Sequence, residues 1–205
     1  YLNAKTGMIS ILHTWGQTLT LHPHLHCIVP NGGLDKEGQW VFPKKQTKTS
    51  DRDKKYFFPK RALSSVFRAK FTACLRKQIQ IPQSTAKILF KKNWVVYAKQ
   101  PFFGPQQVIE YLGRYTHKIA ISNHRLESIS NTQVSFKYKD YRTGESNKVM
   151  SLKATEFIRR FALHVLPSRF TRIRHYGIFA SKNKTIELNK AKVYFGLQTW
   201  KKQKT

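Results

Sequence analysis

The amino-acid sequence predicts a single domain of mixed α+β class. Strand-like and helix-like segments follow one another along the 205 residues without the regular strand–helix–strand rhythm of a doubly wound parallel sheet. A hairpin pattern joins residues 132–138 to residues 147–152 across a turn at 141–144, and such a hairpin requires antiparallel pairing. With 40% hydrophobic residues, the chain is long enough to bury one sizeable core.

Two β-rich runs open the chain. Residues 8–15 and 17–29 are separated by a glycine, and the second run closes on the Asn-Gly-Gly turn at 31–33. The sequence then predicts a short returning strand at 40–42. The polar, lysine-rich stretch that follows predicts a solvated loop over 44–56.

Three helices and one further strand are predicted downstream. Apolar residues recur at helical spacing in each helix, and prolines or glycines mark several of the helix ends. The predicted helices are residues 60–79, 106–117 and 154–165, and the predicted strand is residues 94–98. Residues from 172 onward mix both patterns. We therefore expect one domain over 1–205, in which about 166–205 can serve as an accessory DNA-binding extension.

The charge balance indicates a polyanionic partner. The chain carries 38 Lys and Arg against 10 Asp and Glu, a formal net charge of +28, and its pI is near 10.4. The basic residues are spread along the chain, so they belong to a folded basic body rather than to a tail. Nucleic acid is favoured over an anionic membrane surface, because no apolar run approaches the roughly 18–20 residues of a membrane span. Two cysteines are too few for a disulfide framework or a cysteine zinc site.

Two histidines one residue apart lie in the second β-rich run. Alternate side chains of an extended segment share a face, so His24 and His26 point the same way. Leu25, Cys27 and Val29 share the other face, which we predict to pack against the core. Two adjacent imidazoles can hold one divalent metal ion if a further ligand comes from elsewhere. The alternative is the polar face of an ordinary strand.

Two tyrosines one helical turn apart form the second candidate feature. Tyr111 and Tyr115 are spaced i,i+4 in the predicted helix 106–117, so their side chains lie on one face. With Val108 and Leu112 they also complete an apolar stripe, and ordinary core residues would show the same spacing. The functional interpretation is that both hydroxyls face the metal and attack a phosphodiester as nucleophiles.

Together these features resemble the HUH (His-hydrophobic-His) single-strand endonucleases, and more narrowly the two-tyrosine rolling-circle transposases of bacterial insertion sequences. Four stretches carry the resemblance across most of the chain: 13–17 (HTWGQ), 22–27 (HPHLHC), 111–123 (YLGRYTHKIAISN) and 170–177 (FTRIRHYG). The resemblance implies a central antiparallel sheet that carries the histidines, with the tyrosine helix packed alongside. It also implies cleavage and rejoining of single-stranded DNA at transposon ends and targets, through a 5′-phosphotyrosine and a free 3′-hydroxyl.

The resemblance further implies a third metal ligand and a divalent ion, Mg²⁺ or Mn²⁺. Gln17 is the favoured third ligand and His13 the alternative, because they lie only seven and eleven residues before His24 and share strand parity with each other if the intervening glycine introduces no bulge. His22 and Gln107 are further possibilities. Imidazole ligands suit Mn²⁺ better than Mg²⁺, whereas the abundance of Mg²⁺ favours its use in the cell.

Five basic side chains are predicted to contact the DNA. Two flank the tyrosines, and three form a dense group near the C-terminal end, where Tyr176 is available to stack on an unpaired base. The five are Arg114, Lys118, Arg172, Arg174 and His175. For each one singly, a solvated surface group is the alternative.

Transposases of that family usually also carry an N-terminal zinc-binding segment. The chain starts at Tyr1 as if in mid-chain and shows no signal peptide. We therefore expect the zinc-binding segment to be absent here, and the protein to act on DNA in the bacterial cytoplasm, at the nucleoid.

Three other functions compete with this interpretation. A transposase with a carboxylate triad is disfavoured, because most of the ten acidic residues fall in turns or polar loops. A non-catalytic nucleic-acid-binding module explains the charge but not the coincidence of His-x-His with Tyr-x-x-x-Tyr. A replication initiator or a conjugative relaxase shares the chemistry, and only the flanking stretches separate it from a transposase.

Overall fold

The computed structural model describes residues 2–43, 59–99, 101–102, 104–116 and 120–199. Within these residues the chain forms eight strands and five α-helices, which confirms the mixed α+β class. The strands are β1 (Gly7–Trp15), β2 (Leu21–Ile28), β3 (Gly33–Leu34), β4 (Trp40–Val41), β5 (Leu126–Ile129), β6 (Gln133–Tyr138), β7 (Lys148–Lys153) and β8 (Ile173–Gly177). The helices are α1 (Lys60–Arg76), α2 (Gln83–Lys91), α3 (Pro105–Thr116), α4 (Ala154–Ala162) and α5 (Lys184–Tyr194).

The described residues fall into two compact units. One unit is built from the described part of residues 42–103 and contains α1 and α2. The other runs over Asn3–Val41 and continues from Gly104, so it contains all eight of these strands and the other three helices. The histidines and tyrosines singled out by the sequence all belong to this second unit.

Three antiparallel strands in the order β2-β1-β8 form the first sheet. Across β1 and β2, His13 lies opposite His24 and Ile11 lies opposite His26. Across β1 and β8, Ile11 lies opposite Ile173. Directly paired residues project from the same face of a sheet. One face of this antiparallel sheet therefore carries three histidines.

The opposite face of β2 is exposed, so the prediction that it packs against the core was wrong. Leu25 is 49% exposed and Val29 is 36% exposed, and Cys27 is exposed as well. The histidine face is the covered one, because Ile11 is fully buried there and α3 lays its tyrosines on it. Alternation separates the two faces of a strand but does not tell which of them another element covers.

The turn between β1 and β2 is anchored in a separate core. Leu19 adopts a left-handed backbone conformation with φ of 59°, and its side chain is fully buried against Phe136 and Ala120. The buried His164 donates from Nε2 to the Leu19 carbonyl at 3.1 Å and accepts at Nδ1 from the Thr14 hydroxyl at 3.2 Å. The connection between the two histidine-bearing strands is thereby fixed.

A second antiparallel sheet, in the order β5-β6-β7, contributes Leu126, Phe136, Met150 and Leu152 to that core. Its β6–β7 hairpin pairs Gln133 with Lys153 and Tyr138 with Lys148, which confirms the predicted hairpin to within one residue. Phe157 and Phe161 of α4 pack against its buried side chains. This sheet packs against the β1–β2 turn through the core that contains Leu19 and Phe136.

The C-terminal segment forms part of the second unit by strand pairing and by core packing. Its strand β8 pairs with the central strand β1, and Ile178 and Ala191 form a small core with Leu34 of β3. The part of residues 166–205 that contains β8 is therefore an integral part of the first sheet.

Several elements differ from the prediction. Residues 94–98 do not form a strand, because Trp94 packs its ring against Phe67 and Phe71 of α1 instead of entering a sheet. Helices α2 and α5 and strands β5 and β8 were not predicted. None of the described helices is long and apolar enough to cross a membrane.

Candidate metal and tyrosine site

Three imidazoles converge on one face of the first sheet. The Nε2 atoms of His24 and His26 lie 3.1 Å apart. The ring centroid of His13 lies 4.7 Å from that of His24 and 5.3 Å from that of His26. One nitrogen from each ring lies within 4.8 Å of the other two, so the three side chains can share one ion.

The hydrogen bonds of His24 and His26 direct their Nε2 atoms toward this shared centre. His24 donates from Nδ1 to the carbonyl of His22 at 2.6 Å. Because a carbonyl can only accept, Nδ1 carries a proton, and in the neutral tautomer with this hydrogen bond the Nε2 atom offers its lone pair. The Nδ1 atom of His26 lies 2.9 Å from the hydroxyl of Tyr111. Using one ring nitrogen for a protein partner and the other for the ion is the usual arrangement of metal-ligating histidines.

The environment of His13 fits a metal ligand. Its Nδ1 atom is buried and has no hydrogen-bond partner among the described residues, which is costly for a polar atom unless something else binds it. Burial, followed by the neighbouring His24 and His26, lowers the pKa of His13 to about 3. The ring is therefore neutral at physiological pH, and neutral imidazole is the form that binds metals.

Gln17, the third ligand favoured by the sequence, lies beyond the end of β1. Its side-chain nitrogen donates to the Tyr141 hydroxyl at 3.5 Å, and its side-chain oxygen accepts from the Lys139 backbone N–H at 3.4 Å. The parity argument does not extend to Gln17, because β1 ends at Trp15 and its register with β2 shifts just after His13. Of the two alternatives, His13 is the residue that the structure brings to the histidine pair.

Both tyrosines of helix α3 contact His26 of this group. The Tyr115 ring stacks on the His26 ring, with centroids 3.7 Å apart and planes 25° from parallel. The Tyr111 hydroxyl contacts the Nδ1 atom of the same ring, and the two tyrosine rings lie 4.9 Å apart. Both tyrosines are only partly buried. A hydroxyl and imidazoles thus meet in a site that solvent reaches, unlike the apolar stripe of an ordinary core helix.

The surroundings hold both phenols in their neutral form. Burial, followed by the neighbouring Tyr115, raises the pKa of Tyr111 to about 12. Burial also raises the pKa of Tyr115, and Arg114 partly offsets that effect. A tyrosine nucleophile at this site needs additional positive charge before it ionises near neutral pH.

All of these residues lie within the part of the chain that a known protein family matches. The family model, described as "Putative transposase", matches residues 7–186. The chain belongs to this transposase family. The membership confirms the transposase assignment made from the sequence motifs.

Two curated members of the transposase group are similar to the chain. One is "Putative transposase y4qJ" of Sinorhizobium fredii (strain NBRC 101917 / NGR234), to which the chain is 42% identical over 215 aligned residues. The alignment covers 96% of this chain and 52% of that protein. The other is "Transposase for insertion sequence element IS801" of Pseudomonas savastanoi pv. phaseolicola, to which the chain is 27% identical over 195 aligned residues. That alignment covers 87% of this chain and 44% of that protein. The chain thus spans about half the length of these transposases. No solved structure matches it.

Arg172, predicted to contact DNA, makes internal contacts in this transposase-family chain. It donates to the carbonyl of Leu12 at 3.2 Å and to the carbonyl of Tyr115 at 2.7 Å. Its guanidinium also lies over the Trp15 ring, 4.9 Å from the centroid. Arg172 therefore ties the C-terminal end of α3 to β1.

Those of the other predicted DNA contacts that the structure describes do not all lie on one face of the first sheet. Arg114 is exposed on α3, and His175 is exposed on the histidine face of the sheet. Arg174 projects from the opposite face and lies over the Phe170 ring. Lys118 lies outside the described residues.

Two supporting residues were missed by the sequence analysis. Trp15 packs its ring 3.9 Å from that of His13, and strand alternation could have placed it on the histidine face. His164 lies in the loop after α4, and its ring contacts that of Trp15, with ring centroids 5.9 Å apart. No local pattern indicates the role of His164, because its partners lie about 150 residues away in the chain.

Among the described residues, the group that could hold a metal ion contains no carboxylate of the kind that a two-metal transposase uses. Residues 1–34 and 157–186, which contain all of β1, β2 and β8, include no Asp or Glu. Glu110 is adjacent to Tyr111 in the chain, but it is exposed and accepts a hydrogen bond from Gln106 at 3.4 Å. The donor set of the site is therefore imidazole and phenol.

Proposed function

We propose that this chain is the catalytic part of a transposase that cleaves and rejoins single-stranded DNA through a covalent phosphotyrosine. One observation carries the proposal: both tyrosines contact a single histidine of the cluster. The Tyr111 hydroxyl lies 2.9 Å from Nδ1 of His26, and the Tyr115 ring stacks on the same imidazole. A nucleophile, the group that orients it and a candidate metal centre thus occur in one site.

His13, His24 and His26 would hold the divalent ion, which we propose to be Mg²⁺ or Mn²⁺. Such an ion, when bound, draws charge from the non-bridging oxygens of a phosphodiester and favours the ionised form of a nearby phenol. Three neutral imidazoles favour Mn²⁺ in affinity, because Mg²⁺ prefers oxygen ligands.

The residues of the chain position the nucleophile. The Nδ1 contact of His26 orients the Tyr111 hydroxyl, and the stacked Tyr115 restrains the imidazole ring. In the proposed step the Tyr111 hydroxyl releases its proton to solvent, the phenolate oxygen attacks phosphorus, and the bond from phosphorus to the 3′-oxygen breaks. That oxygen leaves with the electron pair and takes up a proton. The products are a 5′-phosphotyrosine and a free 3′-hydroxyl.

Rejoining reverses this chemistry. One phosphoester bond has replaced another, so a 3′-hydroxyl can attack the phosphotyrosine and release the tyrosine without ATP. Because Tyr111 and Tyr115 lie on one helix face with rings 4.9 Å apart, one tyrosine can hold a strand end while the other takes part in a later transfer.

The proposed partner is single-stranded DNA at the ends of a mobile element and at its target, in the nucleoid of a bacterial cell. The net charge of +28 and the acid-free strands of the first sheet support a polyanionic substrate. A rolling-circle replication initiator or relaxase would use the same site. The transposase family favours transposition over these alternatives.

Covalent trapping tests the proposal. A pool of labelled single-stranded oligonucleotides incubated with the chain and Mn²⁺ should yield a protein–DNA adduct that resists SDS. Tyr111→Phe combined with Tyr115→Phe should abolish the adduct, and Tyr194→Phe on α5 is the control that should retain it. His24→Ala should lose cleavage while it keeps DNA binding. DNA binding without an adduct under any divalent metal would support a non-catalytic binding module instead.

A further inference from the structure

The face of the first sheet opposite the histidines carries an open groove of about 210 Å³. Its walls, which define the reverse groove, include Ser10, Leu12, Leu25, Phe170, Arg174 and Tyr176. The volume is below the roughly 300–1,000 Å³ of a pocket for a drug-sized molecule. The reverse groove therefore suits one flat group at a time.

Strand register separates the reverse groove from the tyrosine site. Ser10 lies opposite Cys27 on β2 and opposite Arg174 on β8, whereas the next residue, Ile11, lies opposite His26. Successive residues of a strand project from opposite faces. The reverse groove and the histidines therefore lie on opposite faces of the sheet, and Arg172, which also lines the groove, reaches the tyrosine helix through the Tyr115 carbonyl.

Two aromatic rings and a guanidinium reach solvent in the reverse groove. Phe170 is 43% exposed and Tyr176 is 44% exposed. The guanidinium of Arg174 lies over the Phe170 ring, 5.9 Å from its centroid. Aromatic faces beside an arginine are the combination that binds single-stranded nucleic acid, because a base stacks on the ring while the cation meets a phosphate.

Charge selects the class of partner. No Asp or Glu occurs in residues 1–34 or 157–186, whereas residues 157–186 contain seven Lys and Arg. These segments supply every wall residue of the reverse groove, so the surface attracts polyanions and repels cationic peptides. Duplex DNA hides the faces of its bases, and only an unpaired strand can place a base on an aromatic ring.

We propose that the reverse groove binds an unpaired base of a second single-stranded DNA segment, distinct from the segment at the tyrosines. The base stacks on Tyr176 and Phe170, and an adjacent phosphate pairs with Arg174. The identification of the ligand as DNA rests on the proposed function. An enzyme that joins two strands must retain one while it cuts the other, and the reverse groove retains a strand without occupying the reaction site.

Photocrosslinking tests the site in the unaltered chain. A single-stranded oligonucleotide that contains 5-iododeoxyuridine should crosslink to Tyr176 or Phe170 on irradiation, as mapped by peptide mass spectrometry. The crosslink should persist in the Tyr111→Phe plus Tyr115→Phe variant, so a failure of the proposed chemistry would not remove it. Crosslinks confined to the histidine face would overturn the proposal.

Affinity measurements test the same residues. Tyr176→Ala should weaken oligonucleotide binding about 5- to 150-fold, the range for one stacked base, whereas Tyr176→Phe should bind as the parent does. Tyr194→Ala is the matched control, because Tyr194 is 43% exposed on α5. Arg174→Gln should reduce the slope of log affinity against log salt by about 0.7.

Three outcomes count against the reverse groove as a base-binding site. One is parental affinity in both Tyr176→Ala and Arg174→Gln. Another is equal protection of the groove by duplex and single-stranded DNA. The third is a concentration-dependent dimer, seen by sedimentation, that Leu25→Ser abolishes without a change in DNA affinity. Circular dichroism verifies the fold of each variant, and the crosslink on the unaltered chain decides the question if Tyr176→Ala does not fold.

Discussion

His13 is brought into the three-histidine group by the pairing of β1 with β2. Its ring packs on Trp15 and faces His24, His26 and Tyr115. The buried Nδ1 atom lacks a hydrogen-bond partner among the described residues, so the site bears the cost of a poorly solvated polar atom. A cation bound there would offset that cost. The ligand role of His13 can therefore be measured as metal affinity, without DNA.

His13→Ala should weaken Mn²⁺ binding by more than about 100-fold, since even residues that only orient metal ligands typically contribute about 10–100-fold. Titration calorimetry, or the electron paramagnetic resonance signal of free Mn²⁺, measures the affinity. Gln17→Ala is the control and should bind Mn²⁺ as the parent does. The reverse pattern would assign the third ligand to Gln17.

Tyr111→Phe should slow formation of the first adduct more than Tyr115→Phe does. The Tyr111 hydroxyl is the one in contact with Nδ1 of His26, whereas Tyr115 meets that imidazole through its ring face. We expect a loss of about 100-fold or more for Tyr111→Phe and less than about 10-fold for Tyr115→Phe. Single-turnover kinetics with a labelled oligonucleotide measures both. Equal losses would mean that the two hydroxyls are interchangeable in the first step.

Arg172→Gln should lower the free energy of unfolding by about 1–3 kcal/mol, because the carbonyls of Leu12 and Tyr115 lose a charged donor. Urea unfolding measures this change. The salt dependence of DNA affinity should stay as in the parent, since the guanidinium is engaged inside the protein. A slope reduced by about 0.7 with unchanged stability would restore the phosphate-binding role first predicted for it.

The predictable part of the site is the part that depends on local periodicity. Strand alternation placed His24 and His26 on one face, and helical spacing did the same for Tyr111 and Tyr115. The third imidazole depends on how β1 registers against β2 across a turn, and the register shifts just after His13. The spacing of residues along the sequence does not reveal this shift of register, so it could not show which residue of β1 lies beside His24 and His26.

Among the elements, the β1–β2 hairpin sets the geometry of the site. Its turn holds Leu19 in a left-handed conformation with the side chain fully buried. The carbonyl of Leu19 accepts from His164, and the carbonyl of Gln17 accepts from Arg125 at 2.5 Å. The second sheet and the loop after α4 therefore hold the turn, and through it the pairing of His13 with His24.

Leu19→Ala should destabilise the protein by about 2–5 kcal/mol, the range for truncation of a fully buried leucine. Urea unfolding monitored by tryptophan fluorescence measures the loss. Leu21→Ala provides the control two residues away, since Leu21 is 57% exposed and its truncation should cost within about 0.5 kcal/mol. Similar losses for the two variants would contradict the anchoring role of the turn.

The elements that could be predicted are those with a strong internal period. Helices α1, α3 and α4 and the β6–β7 hairpin follow from their own sequences. Strand β8 reads as Ile-Arg-His-Tyr-Gly and becomes a strand by pairing with β1, more than 150 residues earlier. Residues 94–98 have the composition of a strand, but the indole of Trp94 packs on α1. Tertiary partners override local preference in both cases.

Over the whole molecule, positive charge dominates both compact units. Residues 59–99, in the unit that contains α1 and α2, include ten Lys and Arg and no Asp or Glu. The first sheet of the other unit also lacks acidic residues. A charge of one sign within each unit favours the binding of a polyanion.

The affinity for single-stranded oligonucleotides should therefore fall steeply with salt. About six phosphate contacts would give a slope of log affinity against log salt of about −4, at about −0.7 per contact. Fluorescence anisotropy between low and physiological salt measures the slope. A slope near zero would indicate that base contacts alone hold the DNA and would contradict the role assigned to net charge.

The acid-free strands of the first sheet have a thermodynamic consequence. Neutral imidazoles leave the double charge of a bound ion uncompensated, and β1, β2 and β8 offer no carboxylate to balance it. The phosphodiester of the substrate is then the anion that completes the charge balance. Under the proposed function, ion and DNA would be linked ligands, and each would raise the affinity of the chain for the other by the same factor.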